Sequence, residues 1–444
     1  MLFRKWLTVL TAAVLVLGFV PACGTGTAGT RPAPATAPQQ EPKVELRAIW
    51  WGSQDRHDKT LRAIEAFQRK YPHITIHSEF SDFSTHWDKL LVKTASGDAP
   101  DLIQMDFAYI NEYAGRGALL DLTPYTGKEL NLADVDKNLI ESGKVGDRLY
   151  GIALGSNTMA LHVNKTLLDQ AGLPVPAFDW TWKDLERYAA EVKVKLGQDF
   201  WFTPDQSAER NTLEYWVRQR GKSGLWKGYE LNVTEEDVAG WWRFWDDLRK
   251  AGLVPSGEVS VANGSFGGAF EASLWARNKG TVHWGWSNEY ERNARVVKGE
   301  TVMVPYPRGE KADGHYAKVS MYWSVYSKTK YPEEAALFIR WFISDPEAAR
   351  ILSTTRGVPV TATARDALKQ AGLSPYDRAM FDFVEKVTKI AGPTPAPAPK
   401  GNTEVVKLFV RLTEEQAFGR KSPEEAAREF MTEATRILQK ANAQ

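Results

Sequence analysis

The chain has 444 residues, with 56 Lys and Arg against 55 Asp and Glu, and hydrophobic residues make up 43% of it. That length holds two lobes of ordinary size. The balanced charge, with no basic stripe and no acidic block, excludes a nucleic-acid platform and an acidic disordered tail. The single cysteine, Cys23, excludes an intrachain disulfide and a thiolate metal cluster.

Arg4 and Lys5 precede an apolar run from Trp6 to Val20, and small residues follow. This is the order of a secretory signal, and the run is too short to span a membrane comfortably. Residues 1–22 are expected to be a signal peptide. V-P-A-C resembles a bacterial lipobox, which would make Cys23 the lipidated first residue of the mature chain; a plain signal peptide cut near Ala22 is the alternative. Residues 23–42 are Gly, Thr, Ala and Pro with little else and read as a flexible tether. The protein is thus expected on the outer face of the cell membrane, held by acyl chains, or in the periplasm.

Val44 to Trp51 reads as a strand entering a covered sheet. A loop from Gly52 follows, and Asp58 is expected to cap a helix with Leu61, Ile64, Phe67 and Tyr71 on one face, stopped by Pro72. Ile74, Ile76 and Phe80 alternate as a second strand. Ser84 is expected to cap a second helix that closes at Gly97. Leu102 to Met105, too short for a helix, reads as a buried third strand ending on Asp106. Strand, helix, strand, helix, strand demands parallel pairing. The loops after Trp51, around Asp82-Phe83 and at Asp106 therefore leave one sheet edge, where open α/β sheets place ligands.

Tyr150 to Leu154 and Thr158 to Val163 read as further strands around Gly155-Ser156-Asn157. Asn164 to Gly172 and Thr181 to Lys195 read as helices, the latter capped by Thr181 and Asp184. Phe200 to Phe202 falls in a loop. Thr234 to Lys250 is an amphipathic helix whose stripe of Val238, Trp241, Trp242, Trp245 and Leu248 reads as core. Gly280 to Trp286 and Val302 to Pro305 read as strands. Val319 to Ser327, V-S-M-Y-W-S-V-Y-S, looks like a return crossing to the first lobe, and helices open at Pro332 and at Asp345. Pro393 to Pro399 reads as a rigid surface loop, and Ser422 with Glu425 caps a terminal helix.

Catalytic motifs are missing from the sequence. There is no G-x-x-x-x-G-K-[ST], no H-E-x-x-H, no G-x-S-x-G and no His cluster at metal spacing. Asp98 and Asp101 read as helix-end and turn residues. No carboxylate pair is placed for glycoside cleavage, which needs two such groups about 5 Å apart in a retaining enzyme.

W-W-G-S-Q-D-R-H (Trp50 to His57), S-G-D-A-P-D-L-I-Q-M-D-F-A-Y (Ser96 to Tyr109) and R-G-V-P (Arg356 to Pro359) stand in an order that resembles extracellular solute-binding proteins of family 1, the sugar-binding lipoproteins of ABC importers. The resemblance implies an α/β, two-lobed periplasmic-binding-protein-like fold of type II, with a hinge of crossing strands and ligand in the cleft. Lobe 1 would comprise 43–155 and 322–356, lobe 2 residues 156–321 and 357–444. It implies a monomer that binds an oligosaccharide and works with transmembrane permease subunits and a separate ATPase. It implies no cofactor, metal, nucleic acid or catalysis.

Sugar rings present apolar faces and a rim of hydroxyls, which aromatic planes and bidentate polar side chains match. The expected platforms are Trp51, Phe83, Phe107, Tyr109, Trp201, Trp284, Trp286, Tyr322 and Trp323, with Trp284 resembling the family's stacking tryptophan. The expected polar partners are Gln54, Arg56, His57, Asp82, Asp106, Ser156, Asn157 and Arg356. The first two motifs look most like members linked with pectic and rhamnogalacturonan fragments, and Arg56, His57 and Arg356 would meet a uronate carboxylate. A neutral malto-, xylo- or arabino-oligosaccharide is the alternative. A glycan-acting surface enzyme, and the same fold holding a polyamine, a phosphate ester or iron, are the rival readings.

Overall fold

The computed structural model describes residues 42–267, 269–310 and 312–443. The expected signal peptide, Cys23 and nearly all of the tether lie outside the described residues. Lys43–Gln444 forms one compact unit.

The first lobe opens with β1 (Val44–Trp51), α1 (Gln54–Lys70), β2 (Ile74–Ser81), α2 (Phe83–Ala95) and β3 (Leu102–Met105). β1 pairs in parallel with β2 and β3, so all three chain ends leave one edge of the sheet. The sheet continues from β3 to the antiparallel strand Tyr322–Val325 and then to Ile152–Ala153. The two caps differ from the sequence reading. Ser53, not Asp58, caps α1, its extended backbone letting the side chain accept from the Arg56 N–H. Asp58 sits within the helix and accepts from Gln54. Asp82, not Ser84, caps α2 and accepts from both the Thr85 N–H and hydroxyl.

The return segment supplies the helices Pro332–Ser344 and Pro346–Leu352. They cover α1: the Phe67 ring meets Phe338 at 5.1 Å and Trp341 at 5.5 Å. Lys70 closes the same seam on Asp345 at 2.7 Å.

In the second lobe Met159–Asn164 is the central strand, flanked antiparallel by Val282–Trp286 and Thr301–Val304. The helix Glu235–Lys250 begins in a capping box of Thr234 and Asp237 and buries Trp241, Trp242 and Trp245 completely. Each buried indole N–H needs an acceptor or costs stability. Trp241 donates to the Ser207 carbonyl and Trp242 to the Thr413 hydroxyl, while Trp245 Nε1 is buried without a partner. Trp242 also stacks on Phe409 at 5.1 Å, which ties this helix to Asn402–Ala417.

Three chain segments run side by side between the two cores. Ser156–Asn157 pairs antiparallel with Lys318–Val319, and Val358 bridges to Ser156 from the other side. The spacing admits no side chain at Gly155, where a Cβ would sit 1.8 Å from the Arg356 carbonyl oxygen.

Two expectations follow. Trp242→Ala removes a ring packed against both Phe409 and Phe430 and should cost about 3–5 kcal/mol in urea unfolding. His86 is fully buried under β1, its ring 5.0 Å from Trp51, and burial lowers its pKa to about 4. Between the unfolded value of 6.5 and about 4 the unfolded chain binds the extra proton, so this contribution to stability is lost as pH falls through that window. Unfolding free energies measured across that window should fall less steeply in His86→Gln than in the parent.

Candidate functional site

A cavity of about 760 Å³ lies between the two larger hydrophobic cores. The first lobe contributes Arg56 from α1 and Asp106, Phe107 and Ala108 from the exit of β3. The crossings contribute Asn157, Lys318 to Met321 and Thr354 to Gly357. The second lobe contributes Arg210, Asn211 and Glu214, together with Trp226, Trp286, Glu289 and Tyr316, and the strap Thr394 to Ala398 closes one side.

Arg356 is the most constrained of these. Its side chain is 4% exposed, and its Nε and Nη2 donate to Gln104 Oε1 at 3.2 and 3.0 Å. Nη2 also donates to the Thr60 hydroxyl at 3.0 Å, and the guanidinium lies over the Phe342 ring. Gln104 is itself fixed by donating to the Trp51 carbonyl. No carboxylate pairs with Arg356 among the described residues. Burial, then the nearby Arg56 cation, push its pKa down, but a guanidinium stays charged at neutral pH. Its Nη1 is buried without a hydrogen-bond partner.

Asn157, 8% exposed, likewise has a buried Oδ1 with no partner. Gly357 makes room for it: at φ +90° a Cβ there would fall 2.9 Å from Asn157 Oδ1. Trp226 Nε1 is a third such atom, so beside the cavity the protein leaves two buried donors and one buried acceptor unsatisfied, whereas most buried polar groups are paired.

Cations outnumber free carboxylates on the rest of the wall. Arg56 spends its donors on the Thr355 and Trp51 carbonyls. Arg210 donates to Asn211. Lys318 sits 4.5 Å from the Trp286 ring centroid, and desolvation lowers its pKa. None of the three meets a carboxylate within ion-pair distance among the described residues. Of the anions, Glu289 is held by the Trp286 N–H and Arg292. Glu214 accepts from the Leu225 N–H and the Tyr316 hydroxyl. Burial pushes the Asp106 carboxyl up, offset by the Ala108 N–H and the Lys318 charge.

The structure brings six of the expected residues to this cavity: Arg56, Asp106, Phe107, Asn157, Trp286 and Arg356. Trp284 is 8% exposed, donates to the Thr203 hydroxyl and lines a smaller cavity of about 280 Å³. That cavity shares Asn211, Trp286 and Glu289 with the large one.

The remaining expected residues lie elsewhere. Tyr322 and Trp323 are fully buried in the first core, because their strand is paired on both sides and covered on both faces. Tyr322 donates to the Ser142 carbonyl. His57 accepts from the Trp50 indole and stacks on Phe80. Gln54 points along the surface of α1 to Asp58. Ser156 serves the crossing, exchanging backbone bonds with Val358. Trp201 lies against the Lys193 ammonium. Trp51 is buried in an aromatic group with His86 and Trp87, and Tyr109 stacks on Trp87 at 3.9 Å. Phe83 is 44% exposed at the rim of that group and Asp82 caps its helix, both outside the cavity lining.

Arg210, Asn211, Glu214, Glu289, Tyr316 and Lys318 escaped the sequence reading. The Pro393 to Pro399 segment, read as a surface loop, is a wall of the cavity.

The bacterial extracellular solute-binding protein model matches residues 53–349. An extracellular solute-binding protein of family 1 from Alicyclobacillus acidocaldarius is 30% identical and superposes with a TM-score of 0.82, over 90% of this chain and all of that one. A periplasmic oligogalacturonide-binding protein from Yersinia enterocolitica, 22% identical, shares the fold with a TM-score of 0.78 over 90% of this chain and all of its own. The multiple sugar-binding protein of Streptococcus mutans is 28% identical over 167 residues, a match spanning 36% of each chain. With its two lobes, its sheet order and this match over two thirds of its length, the chain belongs to the bacterial extracellular solute-binding protein family.

Proposed function

We propose that this chain is the extracytoplasmic substrate-binding subunit of an ABC importer, which captures an oligosaccharide between its lobes and delivers it to a membrane permease served by a separate ATPase. The observation that carries this reading is the group of unsatisfied buried atoms at the cavity, Arg356 Nη1, Trp226 Nε1 and Asn157 Oδ1. A sugar hydroxyl both donates and accepts, so sugar hydroxyls suit donors and acceptors alike. Trp286, half-buried between the two cavities, offers the aromatic face that a sugar's C–H groups seek. Contacts from both lobes favour the closed state, with the three side-by-side crossings as hinge. Cys23 is the proposed lipid anchor, the tether holds the binding unit off the membrane, and the unit acts as a monomer.

The cargo we favour is a uronate-containing oligosaccharide of pectic type. Arg210 and Lys318 face the cavity without carboxylate partners among the described residues, and a uronate would supply them. The oligogalacturonide-binding protein from Yersinia enterocolitica, similar in fold, is in keeping with that cargo.

Titration calorimetry of residues 43–444 against neutral and uronate oligosaccharides, with products assayed in the same samples, tests the reading. One-to-one binding without product is expected, with salt weakening uronates more than neutral sugars. Arg356→Met should weaken any cargo by about 10- to 100-fold, the worth of a charged hydrogen bond. Lys318→Gln should weaken uronates alone. Turnover of any glycan would overturn the proposal.

A further inference from the structure

A second chamber of about 650 Å³ opens beyond Phe107. It shares Phe107 and the strap residues Thr394 to Pro397 with the main cavity, so the two are neighbours across one ring and one strap. The strap is fixed from the second lobe. Gly392 donates to the His315 carbonyl, Arg218 donates to the Pro393 carbonyl and Thr394 donates to the Ala317 carbonyl. Its alternating prolines have no N–H to donate and hold an extended backbone.

The far wall belongs to the first lobe and carries Asn111, Lys137, Asn138 and Glu141. The side chains of Asn111, Lys137 and Asn138 make no hydrogen bond or ion pair to other described residues. Ser142 is held in this wall by Tyr322, which reaches it from the core at 2.8 Å. Glu141 is engaged by Lys144 at 2.7 Å, so the chamber offers the amides of Asn111 and Asn138 and the exposed Lys137 ammonium beside one aromatic ring.

Ligand pockets usually measure about 300–1,000 Å³. The main cavity alone falls in that range, and the two chambers together exceed it. We propose that the chamber beyond Phe107 is an extension subsite, which takes the further units of a linear oligosaccharide passing the Thr394–Pro397 strap and so selects cargo by length. This rests on the carbohydrate reading above.

The test is calorimetry of residues 43–444 against homologous oligogalacturonides and xylo-oligosaccharides from disaccharide to hexasaccharide. For the series that binds, affinity should rise about tenfold or more from the disaccharide to longer members, the worth of one or two added hydrogen bonds. The Lys137→Ala/Asn138→Ala double variant should lose that gain while binding the disaccharide as the parent does. Equal affinity at all lengths would overturn the subsite and leave the carbohydrate reading standing. So would a variant that weakens every length alike. Binding of no member of either series would overturn both.

Discussion

The arrangement depends on one buried cation with no counter-ion. Arg356 lies inside the protein on two neutral acceptors, Gln104 Oε1 and the Thr60 hydroxyl, and over the face of Phe342. Burying a charge is costly unless it is paired or fully hydrogen-bonded. Here the bonds join the exit strand of the first sheet, its first helix and the last crossing between lobes. The Gln104 bond to the Trp51 carbonyl extends the same network to the end of β1. The chain thus spends its most demanding polar group on fixing the point where the lobes meet, and keeps one guanidinium nitrogen unsatisfied there. The proposed cargo would complete it.

The aromatic residues divide between two uses of the same physics. Trp241, Trp242, Trp245 and Trp323 are fully buried and hold helices or sheet together. Trp286 is held short of burial, with its backbone N–H tied to Glu289 and its ring beside Lys318. Five residues of strand and turn carry both roles, since Trp284 packs between Trp182 and Tyr306 while Trp286 reaches both cavities. Residues two apart on a strand share a face, so what separates them is depth: Trp284 is buried and Trp286, at the end of the strand, is half-buried.

Much of the fold was legible because apolar periodicity decides it. The parallel first three strands, the capping boxes at Thr181 and Thr234 and the tryptophan stripe all follow from local pattern. The caps of α1 and α2 were misplaced because Ser53, Asp58, Asp82 and Ser84 are all competent capping residues and sequence does not say which backbone is extended. The cavity lining was legible where a strand ends on it, as at Asp106, Phe107 and Trp286, and where a quoted motif or crossing carried it, as at Arg56, Asn157 and Arg356. Tyr322 and Trp323 misled because a buried aromatic and a sugar platform have the same composition, and only the pairing on both strand edges tells them apart. Arg210, Lys318 and the proline strap come from distant parts of the chain, and only the tertiary fold gathers them.

The most direct test of the account is a crystal structure of residues 43–444 with a bound oligogalacturonide. The account predicts hydroxyl oxygens within hydrogen-bonding distance of Arg356 Nη1 and Asn157 Oδ1, with a sugar ring on the Trp286 face. A ligand seated elsewhere, with those two atoms left untouched, would contradict it.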